Sequence, residues 1–595
     1  MRMLAHDLAA TRRWARHDLR CQPTEVGYGL MAKARAEVHL LDTAEMQNMV
    51  TAIEESTRAT KTGVARFIEP AQGSPLRRAT AKRHHIVFGR RGSGKSSLLR
   101  KAAAELTIDR RPIAFVDLEP FKGHTYPDVL LSVLITTFDA FATWLKDAGR
   151  TPASKTTFWH RLFGTKPKRP PLEKTATNKL MAELRRQVQE LKELLHSADE
   201  AEIKTSQVAN RELSESSGAA LDAKISAKAG PFEASATASQ KASAASKFTE
   251  SMERSEEYKR KKIDFLLRHI IDYQRIFHDL GELSGGDAFL ILDDLYHLQR
   301  RDQPNLIDYF HRIAKNNQLW IKVGTIRHRT EWYLHGNPPT GMKLGDDADE
   351  IDLDLTLEKY SLTKDFLFAV LAAFAKESGV NLEDILAEGS RDRLVLASGG
   401  VARDFLTIFR RAVDIARERP SDHIRGSKIG AEDVNRASGE HDQTKRDELR
   451  RDITEESEEI ESALARIVGF CTEKAQSNCF LVEKDRHEQY IKLIAELVDM
   501  RLIHLVRSRT SVGHRKGKAY VAYMLDLSQY TGERKRQNLA MISFWTSQGE
   551  DQMRHVKNIY DPERGNTADE PGESPAEDEP GESPATEARP ATRSA

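Results

Sequence analysis

Two rhythms of apolar and polar residues run along the chain. Short apolar runs end in glycine or aspartate, and longer stretches carry apolar positions three and four apart. The short runs read as strands: His85-Ile86-Val87-Phe88, Ile113-Ala114-Phe115-Val116, Phe289-Leu290-Ile291-Leu292, Trp320-Ile321-Lys322-Val323 and the stretch 351–357. Helical spacing is found over 37–53, 96–106, 128–145, 307–315, 362–375 and 401–416. A short extended piece at 65–69 and a Gly/Ser/Pro break at 73–75 precede the first strand. Strands alternating with helices predict an α/β fold, a parallel sheet covered on both faces.

The alternation stops at a Lys/Pro-rich break over 165–171, where a long insertion begins. Within it, Met181, Leu184, Val188, Leu191 and Leu195 recur at steps of three and four, as do Ile263, Leu266, Ile270, Tyr273, Phe277 and Leu280, which predicts two coiled-coil-like arms. Between them Leu221, Ala223, Ile225, Ala227 and Ala229, then Phe232, Ala234, Ala236 and Ala238 across Gly230-Pro231, alternate with period two. That tract reads either as a hairpin or as an Ala/Ser-rich linker, since small side chains bury too little area to hold a lone hairpin. After a charged helix over 448–470 come a helix at 486–500, a strand at 502–506, a glycine-containing turn and a strand at 519–527, the order of a winged helix. Two near-copies of Glu-Pro-Gly-Glu-Ser-Pro-Ala, beginning at Glu570 and Glu579, mark a tail whose composition predicts disorder.

The expected division is therefore a helical lead-in (1–75), a nucleotide-binding core (76–150 and 281–358), the insertion (151–280), a helical lid (359–440), a winged helix (448–535) and an acidic tail (556–595). A length of 595 residues fits several folding units. Lys and Arg number 91 against 90 Asp and Glu, so affinity for nucleic acid must come from local clustering, not from the overall field. The three cysteines, Cys21, Cys471 and Cys479, form no CxxC pair, which argues against a disulfide framework or a zinc motif and for a reducing, cytoplasmic setting. No window of about 18 consecutive apolar residues occurs and the N-terminus has no apolar core, so neither a membrane span nor export is expected.

The chemistry begins at Gly89-Arg90-Arg91-Gly92-Ser93-Gly94-Lys95-Ser96, which fits the phosphate-loop pattern G-x-x-x-x-G-K-S/T between a strand and a helix. Glycines let successive backbone N–H groups turn into a concave loop, and the first residues of the helix, Ser96 and Ser97, add its positive end. Lys95 is placed for the β and γ phosphates of ATP, and the Ser96 hydroxyl for Mg²⁺. The second half of such a site is a carboxylate at the end of a buried strand, and Phe289-Leu290-Ile291-Leu292-Asp293-Asp294 supplies it, with Asp293 as the other metal residue. Asp294 reads either as the group that polarises an attacking water or as a helix cap. At Val323-Gly324-Thr325-Ile326-Arg327, Thr325 or Arg327 would lie beside the γ phosphate, unless this is an ordinary strand end with a solvated arginine. Ser398-Gly399-Gly400-Val401-Ala402-Arg403-Asp404-Phe405 sets Arg403 in a first helical turn, where a cation opposes the helix dipole and an anionic partner suits it.

Together these segments resemble the AAA+ ATPase superfamily, particularly its origin-recognition-like branch, over roughly 84–140 and 285–420. Walker A corresponds to Gly89–Ser96, Walker B to Phe289–Asp294, sensor 1 to Val323–Arg327 and sensor 2 to Gly399–Phe405. The resemblance implies ATP hydrolysis, a C-terminal winged helix and homo-oligomers in which a neighbouring subunit supplies an arginine finger; Arg312, Arg327 and Arg329 are its possible donors. Two departures, Asp293-Asp294 in place of Asp-Glu and Thr325-Ile326-Arg327 in place of the sensor asparagine, look more like STAND-type signalling NTPases. Members of that group often hydrolyse slowly and act as switches. The insertion between the second strand and Walker B is longer than usual for either group and offers a surface for a partner protein.

From Met500 to Lys518 there are six basic residues, Arg501, Arg507, Arg509, Arg515, Lys516 and Lys518, and no acid. Six phosphate contacts would give a slope of affinity against log salt of about −5. The block reads as a double-stranded DNA-binding wing, or alternatively as a protein-docking or nucleotide-lid module with a solvated loop. The two functional expectations are an ATPase coupling nucleotide state to DNA, and a nucleotide-gated signalling or scaffold protein with little turnover.

Overall fold

A computed structural model describes residues 40–56, 66–70, 73–108, 111–150, 172–196, 256–419, 428–452, 457–484, 488–513, 515, 517–531 and 539–562. Cys21, the break at 165–171, the alternating tract at 221–238, Lys516 and the repeat-bearing tail lie outside the described residues.

Five strands form one parallel sheet: β1 (His84–Phe88), β2 (Ile113–Asp117), β3 (Ala288–Asp293), β4 (Leu319–Thr325) and β5 (Ala348–Asp352). Their order is β2-β3-β4-β1-β5, so the strand carrying the glycine loop is internal, flanked by β4 and β5. β1 and β3 are buried at every position, as expected of strands covered on both faces, whereas the edge strand β2 alternates. The period of two divides the side chains between two layers. Val87, Ile291 and Ile351 pack with Ala79 of α2 (Pro75–Ala79) and with Leu98, Leu99 and Ala102 of α3 (Lys95–Ile108). Ile86, Phe88, Leu290 and Leu292 face α4 (Asp128–Arg150) and α8 (Gln303–Ala314). Lys322, wholly buried in β4, donates to the carbonyls of Ala81 and Arg83, each at 2.7 Å, and lies 2.9 Å from His85 Nδ1.

The insertion does not stand away from this core where it is described. Helices α5 (174–196), α6 (256–268) and α7 (Ile270–Ser284) lie against α4: Leu184, Leu191, Leu266 and Tyr273 share one cluster with Phe138 and Phe141. Lys262 ties them together, donating to Asp128 Oδ1 at 2.9 Å and to the Leu195 carbonyl at 3.1 Å. The three-four spacing thus serves a third layer on the sheet rather than a free paired coil, because α4 offers an apolar stripe for both segments. Asp128–Ala148 is long and apolar enough to cross a membrane by length and composition, but 67% of that window is buried inside the fold.

The remaining elements build a second body. Helix α1 (Ala44–Ser56), α9 (Tyr360–Ser378), α10 (Glu388–Ser398), α11 (Ala402–Glu418), α12 (Ala431–Asp452) and α13 (Ser457–Gly469) join a small antiparallel sheet, β6 (Cys479–Glu483), β7 (Ile503–Thr510) and β8 (Tyr520–Leu525), in the order β6-β8-β7. Helix α14 (Glu488–Asp499) lies between β6 and β7 in sequence. One continuous apolar cluster runs from Met46 and Ile53 through Phe405 and Phe409 to Phe480 and Leu497. Buried ion pairs cross it, Arg501 with Asp404 at 2.8 Å and Lys445 with Asp526 at 2.9 Å, and His504 Nε2 is hydrogen-bonded to Asp526 at 2.7 Å.

Candidate functional site

The loop leaving β1 has the geometry its glycines permit. Gly92 and Gly94 take φ of +81° and +98°, in the left-handed region that L side chains avoid. Gly89 N–H donates to the Thr325 carbonyl at 3.3 Å, pinning the loop to the end of β4, and Leu98 N–H to Gly94 O at 2.8 Å begins α3. Lys95, at its first turn, is buried and donates to Gly89 O at 2.8 Å and Arg90 O at 3.2 Å. Burial lowers its pKa, against the opposing pull of Asp294. Ser96 and Ser97 follow on the same turn, and the buried Ser93 hydroxyl makes no hydrogen bond.

Asp293 ends β3 directly beside this turn. It is 2% exposed, and its Oδ1 makes no hydrogen bond. A Cβ at Gly324 would come within 2.7 Å of that oxygen, so the glycine makes room for it. Burial first, and then the neighbouring Asp294, push the Asp293 carboxyl up to about 7, while the Ser96 hydroxyl opposes the shift. Asp117, its register partner on β2, adds to the same shift. A buried carboxylate with an unused oxygen beside a serine hydroxyl fits a hard, oxygen-seeking cation such as Mg²⁺. Asp294 takes φ +60° and makes no capping hydrogen bond, and burial raises its pKa against the lowering effect of Lys95. Its backbone turn starts a short 3₁₀ helix, Leu295–His297, which brings Tyr296 back over the loop: the ring centroid lies 5.7 Å from Lys95 Nζ and 5.3 Å from the Arg91 guanidinium carbon.

Arg403 also arrives here. Its N–H lies 3.4 Å from Gly92 O, and a Cβ at Gly92 would come within 2.8 Å of Arg403 Cβ, so the start of α11 abuts the loop. The fold is that of the P-loop NTPases: a strand, a glycine loop and a helix beside a carboxylate at the end of a parallel strand. No family model and no curated protein matches this sequence. Among solved structures, the chain is similar to the Orc1 protein of Aeropyrum pernix in complex with DNA, at 14% identity and a TM-score of 0.30, covering 77% of this chain and 90% of that one. It is also similar to a Walker-type ATPase of Pyrococcus abyssi, at 13% identity and a TM-score of 0.33, covering 76% and 91%.

The side chains of the other sequence-derived residues have partners of their own. The Thr325 hydroxyl is buried against that of Thr330. Arg327 pairs with Glu350 at 3.0 Å and Asp352 at 3.6 Å, with its guanidinium 4.0 Å from the centroid of Phe88. Arg90 braces the loop rather than facing it: its N–H donates to Asp354 Oδ1 at 2.7 Å and its guanidinium to the carbonyls of Leu355 and Gly399, at 3.1 and 3.2 Å. Arg329 pairs with Glu496 at 2.8 Å and Asp499 at 3.1 Å, both on α14, so this arginine is engaged within its own chain. Asp499, buried at the end of α14, lines one cavity with Arg90 of the loop, and its charge acts on Lys95 and Tyr296. Neither Tyr296 nor Asp499 carried a sequence signal, since each reaches the site by a turn or a tertiary contact.

In the basic block, Arg501 is buried against Asp404, Arg507 pairs with Glu550 at 3.3 Å and Lys518 with Glu483 at 2.9 Å. Glu483 and Glu550 lie outside the acid-free window from which the charge excess was read, so the count in sequence overstated what the surface presents.

Proposed function

We propose that this protein binds and hydrolyses ATP with Mg²⁺, as an AAA+ ATPase of the origin-recognition-like kind. The observation that carries the reading is the convergence of Lys95, Ser96 and the unused Oδ1 of the buried Asp293 at the ends of β1 and β3. Loop N–H groups and Lys95 would bind the β and γ phosphates, Ser96 and Asp293 would hold the cation, and Asp294 would take the proton of the attacking water. When bound, Mg²⁺ neutralises charge on the triphosphate. Arg403, at the start of α11, is the proposed phosphate sensor, and its neighbour Asp404 links that sensor to the C-terminal body through Arg501. Titration calorimetry with Mg²⁺ and a non-hydrolysable ATP analogue tests the reading. Binding should be lost in Lys95→Ala, whereas Asp294→Asn should keep binding and lose hydrolysis by about 100-fold or more.

For DNA, the wing reading rests on Arg509, Arg515 and, outside the described residues, Lys516. Three contacts predict a salt slope of about −3 in place of −5. Arg509→Glu with Arg515→Glu should weaken duplex binding in a salt series and leave ATP affinity intact; unchanged DNA retention would count against the wing. Homo-oligomers with a trans arginine stay part of this proposal, with Arg312 on α8 the most exposed of the three donors.

The docking of α14 on the β4 end through Arg329, Glu496 and Asp499 favours a second reading, a STAND-like nucleotide switch with little turnover. In that case Arg329→Ala should speed nucleotide exchange about tenfold, read by release of a fluorescent analogue. Rapid DNA-stimulated phosphate release in the wild type would reject the switch.

A further inference from the structure

The Tyr296 ring faces the glycine loop through Arg91 and Lys95, and the charges of Asp294 at the β3 end, Arg403 of α11 and Asp499 of α14 act on its hydroxyl. Its position follows from a backbone device. Asp294 adopts the left-handed conformation at φ +60°, which reverses the chain after β3 and carries residue 296 back over α3's first turn. A side chain in that conformation is uncommon and is kept where the surroundings impose it. The ring face then lies within cation–π range of two cations at once.

We infer that Tyr296 is a positioning residue of the nucleotide site, its ring face holding the Lys95 ammonium and the Arg91 guanidinium in register at the mouth of the phosphate loop. Lys95 has a four-carbon stem with many rotamers, and its ammonium is buried among backbone carbonyls. A ring face gives that charge a second, directional contact which needs no water. It also spaces the two cations on one surface, so that a triphosphate meets both in a fixed arrangement.

The inference rests on the ATP-binding reading. Its test is calorimetry of the full chain with Mg²⁺ and a non-hydrolysable ATP analogue, for wild type, Tyr296→Leu, Tyr296→Phe and Tyr296→Trp. Loss of two cation–π contacts should weaken binding in Tyr296→Leu about fivefold or more. Tyr296→Phe should restore the affinity to within about twofold, and Tyr296→Trp, the strongest π face, should equal or exceed it. In single-turnover assays the hydrolysis rate of bound ATP should change less than the affinity does. Should Tyr296→Leu not fold, the Phe and Trp variants decide: a loss in both as large as about fivefold overturns the inference, since the hydroxyl would then be what matters. Equal affinity in Tyr296→Leu and wild type overturns this inference alone, whereas no binding by wild type overturns the ATP reading with it.

Discussion

Lys322 shows what a single buried charge does to this fold. Its amine has no exposure in the middle of β4, and burial lowers its pKa from the ordinary 10.5 to about 7. Between those two values the unfolded chain binds more protons than the folded one, so stability rises with pH across that window and is flat below it. The change is at most about 1.4 kcal/mol per pH unit. In urea melts of wild type and Lys322→Met at pH 7 and pH 9, the wild type should gain about 2 kcal/mol on the variant at the higher pH. A constant difference would mean that the two carbonyls and His85 keep the ammonium at its ordinary pKa. The same scale explains what was legible at the site. Lys95, Ser96 and Asp293 were readable because the phosphate loop fixes residue types by spacing, whereas Tyr296 depends on an unusual backbone turn at Asp294 that has no sequence pattern.

Among the elements, the contact between the glycine loop and α11 is a close constraint on the site. At Gly92 an added methyl would meet Arg403 Cβ at 2.8 Å and Val401 Cγ1 at 2.9 Å, and the backbone is left-handed as well. At Gly94 the backbone is also left-handed, but nothing lies within 4 Å of the added atom. Gly92→Ala should therefore cost about 2–3 kcal/mol in chemical denaturation and Gly94→Ala only about 1 kcal/mol. Equal losses would show that α11 yields to the extra atom. Helix periodicity predicted α11 closely, over 401–416 against an observed Ala402–Glu418, because its apolar stripe is strong. It left out α10, Glu388–Ser398, whose short, polar sequence turns helical only where Leu394, Val395 and Leu396 find the core.

For the whole molecule, the informative feature is the joining of the helical lid to the C-terminal sheet. Burial alone would raise the Asp404 pKa, but Arg501 and His441 overcome that and hold it well below the usual carboxylate range. Removing one partner leaves a buried charge without compensation. Arg501→Met should thus cost about 3–5 kcal/mol, and Asp404→Leu combined with Arg501→Met less than either alone. A calorimetric scan should also show the lid and the C-terminal sheet melting in one transition, since they share one apolar cluster. Separate transitions for the two would contradict the shared core.

From the sequence alone come the sheet-forming runs, the loop that turns on glycine, the lysine and the aspartate, because hydrophobic period and phosphate-loop spacing are local properties. The basic block also came from the sequence, as a charge count. Tertiary structure decided which of those charges are spent: Arg501 on Asp404, Lys518 on Glu483 and Arg329 on α14, each pairing residues tens to hundreds of positions apart. It also laid the insertion helices on α4 and brought Asp499 to a cavity it shares with Arg90 of the phosphate loop. Such contacts depend on which faces remain apolar or charged after each element has formed, and this is set by packing between distant segments rather than by any local pattern.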